Sequence, residues 1–265
     1  MLKYFKIFAM HCKLAVMAAA IYRANFILGF IQGTINSLLE VICIDFIYRS
    51  VESIAGWNKQ EMIILVCTAN IVIFGLFCTY IRPNQDNFLR GISKGDFDRM
   101  IIKPLNLLFQ INIGPANIIS TIMFCGVQIT IICIQIGELG TKIGITQILL
   151  YILFILNGVL IFAAFQLLLY SLAFIFIRIE GLEYIFYNMI DIAGRPKEIF
   201  SNKYIKNIFI FIIPVIPIAN APAAVLVQKS NLFDIMSYLG ATIILSFIAI
   251  ISLRLGMRKY NSASS

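Results

Sequence analysis

Few residues in this chain are equipped for chemistry. The carboxylates Glu40, Asp45, Glu183 and Asp191 each stand in an apolar stretch, where an ionised group is expensive and marks function by default. They are scattered, and none has an evident acid/base partner. The single histidine, His11, lies near the N-terminus. The sequence contains no GxxxxGK[ST], no HExxH and no GxSxG, so the phosphate loop, the zinc-peptidase helix and the nucleophile elbow are missing. The six cysteines stand apart in apolar surroundings without a CxxC and read as soft packing residues. No catalytic residue, metal ligand or cofactor site is expected on this chain.

Uncharged amides in stripes are the more informative feature. On a helix, Asn25, Gln32, Asn36 and Glu40 fall within about an 80° sector, and Asn117, Thr121, Gln128 and Gln135 within about 40°. A polar side chain in hydrocarbon is costly unless it faces protein or water. Each stripe therefore faces the bundle interior, a partner subunit or a transport path. Hydrogen bonding between helices and the lining of a path carry equal weight. Gly29 and Gly33 add a small-residue face on which a second helix can approach closely. Many amides and few charges argue against a proton relay or a dedicated cation site.

Such stripes need membrane helices to carry them, and the composition supplies these. Of 265 residues, 60% are hydrophobic and only 13% charged, with a mean hydropathy of +0.92. A typical soluble domain carries roughly 25% charged residues. A soluble enzyme, a disulfide scaffold and a disordered chain are all excluded, leaving an integral membrane protein. Lys plus Arg number 21 against 13 acids, a net charge of +8. In a membrane protein this reads as cytoplasmic loops obeying the positive-inside rule. No basic run interleaved with aromatics suggests nucleic acid.

Residues 1–20 resemble a signal peptide only superficially, because His11 and Lys13 interrupt the apolar part. Lys3, Lys6 and Lys13 lie within about 80° of one another on a helix, which predicts an amphipathic helix along the cytoplasmic interface. Spans follow at about Arg23–Ile47, Glu61–Ile81 (stopped by Arg82-Pro83) and Gly114–Ile136. Trp57, in the short polar loop between the first two, suits a membrane interface. The apolar run Gly144–Ile177 would be about 51 Å long as one helix, beyond a roughly 30 Å hydrocarbon core, and is expected to tilt and project. The last span is about Met236–Leu255.

Residues 195–235 are harder to place. Pro214, Pro217 and Pro222 make a regular span doubtful, and broken backbone at membrane depth needs protein or water around it. A re-entrant element is the natural reading. In one arrangement 181–194 is the fifth span and 195–235 an outer cap. In the other, 178–206 is cytoplasmic and 207–227 crosses. Counting Lys and Arg favours the second, and the prolines favour the first.

Residues 82–113 form the most polar internal stretch, with Arg82, Arg90, Lys94, Arg99 and Lys103. They read as cytoplasmic, which puts both termini inside as well. Within them, Gly95 permits a tight turn, Asp96 can cap a helix start and Pro104 ends the helix. Phe97, Met100 and Ile101 share one apolar face, flanked by Lys94, Arg99 and Lys103, with Asp98 in the same segment.

The segment Gly91 to Leu105, reading GISKGDFDRMIIKPL, resembles the coupling-helix segment of type-2 ABC exporter permeases, which follows their second span. The late segment Arg195-Pro196, Ile213-Pro214 and Asn220-Ala-Pro222-Ala223 is similar to that family's proline-rich block, with Arg195 and Asn220 where aromatics are usual. The resemblance covers nearly the whole chain. It implies an all-α integral membrane permease of six transmembrane helices, in a single domain 1–265, with an interfacial helix, a coupling helix and an outer re-entrant segment.

It further implies a subunit in the plasma membrane that exports an amphipathic or hydrophobic compound by alternating access. A separate ABC ATPase, in two copies or equivalent, would bind ATP and Mg and contact residues 91–105. A second permease chain, identical or related, would close the path along the first span. A stand-alone channel or secondary transporter is the alternative, as is a non-transporting scaffold or immunity protein.

Overall fold

The structure describes residues 2–94, 97–113, 118–141, 143–174 and 180–259. Over these, the computed structural model is helical, with no strand beyond a single bridge between Ile54 and Trp57. By length and composition, six helices can cross a membrane: Lys3–Ile21, Phe26–Tyr48, Lys59–Ile92, Ile119–Leu139, Ile145–Phe174 and Leu232–Arg258. The pair Lys203–Ile212 and Ile216–Leu226 is bent by 101°. The N-terminal helix qualifies, and no unbroken long helix lies between Phe174 and Leu232 among the described residues.

Helix α1 (Leu2–Ile21) joins α2 (Arg23–Tyr48) at a break at Tyr22. Next, α3 (Lys59–Asn70) starts in a capping box between Asn58 and Glu61, which satisfies two otherwise orphan backbone donors. It does not stop at Pro83. A wide π-helical stretch, Ile71–Ile81, leads into α4 (Arg82–Lys94). Pro83 lies inside this unbroken run, and the wider π turn before it gives its ring room that a regular α turn would deny. Short helices α5 (Phe97–Ile102) and α6 (Leu107–Asn112) complete the 82–113 loop. The long helices α7 (Ile118–Leu139) and α8 (Ile145–Ser171) follow.

Aromatic and polar contacts define two ends of the bundle. At the loop end, Phe88, Phe97 and Phe174 form a ring cluster, with 5.4 Å between the Phe97 and Phe174 centroids. At the opposite, cap end, the Trp57 indole donates to Glu198 at 3.1 Å, Lys197 pairs with Asp234, and Lys229 pairs with Glu61. The chain therefore crosses between Phe174 and Glu198. It does so partly through α9 (Glu180–Met189) and a tight turn, Ile190–Gly194. Residues 195–206 sit at the cap end with 49–58, the arrangement that charge counting disfavours. Lys197 and Lys229 stand there beside Asp234 and Glu61.

From the cap end the chain dips back in. Helix α10 (Lys203–Asn207), a π turn Ile208–Ile212 and α11 (Ile216–Leu226) form the bent pair, and α12 (Leu232–Lys259) closes the bundle. Pro214 precedes α11, Pro217 lies in its first turn, and Pro222 lies inside it. Burial of nearly every α11 residue supplies the cover its irregular backbone needs. A Cβ on Gly158 of α8 would lie 2.6 Å from the Ile218 carbonyl oxygen, so only glycine permits this approach. Asn220 caps the dip. Its Oδ1 accepts from the Lys197 N–H at 2.9 Å and its Nδ2 donates to the Arg195 carbonyl at 2.9 Å. Trp57 is buried under this cap rather than at a lipid interface.

Candidate functional site

The amide stripes build one side of the bundle. Along α2, Gly33 meets the Phe124 ring, at 3.1 Å from where a Cβ would be. One turn further, Gln128 of α7 donates to Ser37 at 2.5 Å. A turn beyond that, Asn70 of α3 donates to Glu40 at 2.6 Å. Thr121 bonds Thr79, one turn after Gly75 in the π-helical stretch. Here the pattern resolves by position. Gln128, Thr121 and Glu40 are engaged between helices. Gln32 and Asn36 are exposed, and a Cβ on Gly29 meets nothing within 4 Å. The Asn25 side chain and Asn117 lie outside the described residues.

Two clefts open along this side and share Glu40, Asn70, Leu39 and Phe74. One, of about 480 Å³, runs past Gly29, Gly33 and Asn36. The other, of about 490 Å³, reaches Asp191 and Arg195 in the turn after α9. Spacing within α2 shows its half of the clefts. The contribution from 190–195 was invisible, because nothing in the sequence places a turn 150 residues downstream against α2. Apolar walls with a few amides and charges can take up an amphipathic solute and fix its polar part.

The 82–113 loop differs from its sequence reading in one respect. Phe97 is wholly buried, at 0% exposure, between Phe88 and Phe174, so it anchors the loop instead of offering itself to a partner. Met100 is half-buried, with its sulfur near Gly91. The exposed apolar side chains of α5 are Ile101, at 56%, and Ile102, at 80%. A helix of under two turns, tethered at its first residue, turns outward whatever its anchor leaves free. Asp98 is half-buried, Lys103 and Pro104 are exposed, and Gly95 and Asp96 lie outside the described residues.

The loop is tied to the bundle by polar bonds too. Tyr170 of α8 donates to Asp86 at 2.5 Å, and Gln85 donates to Asn112 at 2.7 Å and to the Ala163 carbonyl at 3.2 Å. These bonds join α4 to α6 and α8.

Residues 34–264 match the family described as "ABC-2 family transporter protein". The chain belongs to that family: it is a multi-pass membrane permease subunit of an ABC transporter. Membrane subunits of this family work with an ABC ATPase partner. No curated protein and no solved structure matches the chain.

Proposed function

We propose that this permease is the membrane half of an exporter, with the loop end in the cytoplasm, both termini there, and the cap facing out. ATP and Mg are bound on the ATPase, which seats Ile101 and Ile102. Its closure moves α4 and α8 through the Phe88–Phe97–Phe174 cluster, and alternating access follows as two permease chains rock against each other. The substrate, an amphipathic or hydrophobic compound, travels along the α2 clefts, with a second permease chain covering the exposed Gly29, Gln32 and Asn36.

One observation carries the reading: an exposed isoleucine pair stands on a loop whose base is locked into the bundle by rings and hydrogen bonds. Burying each isoleucine contributes roughly 1.5–3 kcal/mol. The test is co-purification and substrate-stimulated hydrolysis with Ile101→Asp and Ile102→Asp together. The ATPase should be released while the permease stays folded in the membrane. Unchanged complex and unchanged stimulation would refute the coupling role.

A further inference from the structure

A third cavity lies outside the clefts and the exposed isoleucine pair. It measures about 180 Å³ and sits at the loop end, where α1 crosses over α4, α5 and α6. Its polar lining is His11, Asn84, Asn87, Lys103 and Gln110. We propose that this cavity binds the phosphate of an acidic glycerophospholipid headgroup, holding α1 to the loop.

The first argument is position. Lys3 donates to the Pro104 carbonyl at 2.8 Å, the Tyr4 ring stacks edge-on against Phe109 at 4.7 Å, and Phe8 lies near Tyr80. The N-terminal half of α1 is thus fixed at the loop end. Its C-terminal end runs into Arg23, and α2 rises from there toward Asn70 and Lys59 at the cap end. Both ends of α1 lie at one end of the bundle, although its apolar content would suffice for a span. Met10, Leu14 and Met17 are exposed on one side of α1 together with Lys3, Lys6 and Lys13, and Phe5 is exposed on the other. A helix lying at one end of the bundle with apolar stems and basic heads exposed together suits the level of lipid headgroups.

The second argument is chemistry. Lys103 lines the cavity, and Lys3 is bonded to the carbonyl of Pro104, the residue between the lining Lys103 and Leu105. His11 Nδ1 is buried there without a hydrogen-bond partner among the described residues, a donor or acceptor that can take one. Asn87 uses its Oδ1 to accept from Arg90, which leaves its N–H groups for an anion. The nearest carboxylate on α4, Asp86, faces away toward Tyr170 and Arg82, so it does not neutralise the lysines. Asp98 on α5 is half-buried and acidic, and the lysines outnumber it. Gln110 and Asn84 spend N–H groups on the carbonyls of Met100, Leu105 and Tyr80, so Lys103, Asn87 and His11 are the groups that suit a phosphate oxygen. A cavity closed on one side by a lipid-bedded helix selects a headgroup over a soluble ion.

The test uses the full chain, stripped of lipid in detergent and titrated with phosphatidylglycerol or phosphatidylcholine, with bound lipid counted by native mass spectrometry. Phosphatidylglycerol should bind more tightly. Each lysine removed, as Lys3→Gln or Lys103→Gln, should weaken it about fivefold, and His11→Leu should weaken it as well. Lys229→Gln, at the cap end, should leave binding unchanged. Equal binding of the two lipids, or no loss in the lysine variants, would overturn the site. Inorganic phosphate or glycerol 3-phosphate that saturates the cavity at lipid-like concentrations would overturn the lipid assignment. Neither result bears on whether Ile101 and Ile102 hold the ATPase.

Discussion

Helices α11 and α2 are both apolar, both carry asparagine, and the protein treats them in opposite ways. In α11 almost every residue is buried, and Asn220 is consumed in holding the Arg195–Lys197 backbone. Only 6% of the most apolar window of α2 is buried, and its Gln32 and Asn36 are exposed among the described residues. An amide in an apolar helix therefore has no fixed meaning. Where it is bonded to backbone it is structural, and where it is left open beside a cleft it awaits a solute, water or another chain.

If that contrast is right, α11 is the costliest place to disturb. Gly158→Leu drives a side chain into the Ile218 carbonyl, an overpacking that costs about 1–3 kcal/mol or more. Asn220→Leu leaves the Lys197 N–H and Arg195 carbonyl without their partner, at about 1–3 kcal/mol for each group left unsatisfied. Both should lower the thermal unfolding midpoint in detergent, and Asn220→Leu should also open the cap to protease near Lys197. Midpoints equal to those of matched leucine changes at Gln32 or Asn36 would erase the contrast.

The sequence carried the class of protein, the long helices and the break in the proline-rich stretch, because hydropathy and proline act locally. It was less informative wherever a distant element decides. Phe97 looks like a docking residue until Phe88 and Phe174 enclose it. Trp57 looks interfacial until Glu198 and Lys229 cover it. Pro83 looks like a stop until the wide turn before it carries the helix on. Asn220 stands out from its family as a departure, and its purpose needs the Arg195 backbone beside it. In the clefts, the α2 residues could be read from their spacing, whereas Asp191 and Arg195 arrive by tertiary folding alone.

The contrast sharpens within α2 itself. Gly33 faces Phe124, whereas a Cβ on Gly29 would meet nothing within 4 Å among the described residues. Gly33→Leu should therefore cost the single chain about 1–3 kcal/mol through forced repacking. Gly29→Leu should leave the unfolding midpoint of the single chain where it was and instead reduce cross-linking between chains at positions 32 and 36, because a bulky residue blocks close backbone approach. A large midpoint loss at Gly29, or undiminished cross-linking, would place that face against lipid.

The smallest effect separates an engaged amide from an open one. Gln128 donates to Ser37 within the chain, and hydrogen bonds between membrane helices contribute on average about 0.6 kcal/mol. Gln128→Leu should thus lower stability by about that much while leaving transport close to normal. Gln32→Leu removes no bond inside the chain and replaces an exposed polar group with an apolar one. Its stability should hold or rise slightly. Transport should fall, since the cleft edge loses a polar group that a passing solute or the second chain uses. Paired measurement of unfolding midpoint and vesicle transport decides between the two behaviours. A Gln32 variant that keeps full transport would return this residue to the lipid-facing side of α2, and the path would have to be sought on the Asp191 side of the Glu40–Asn70 pair.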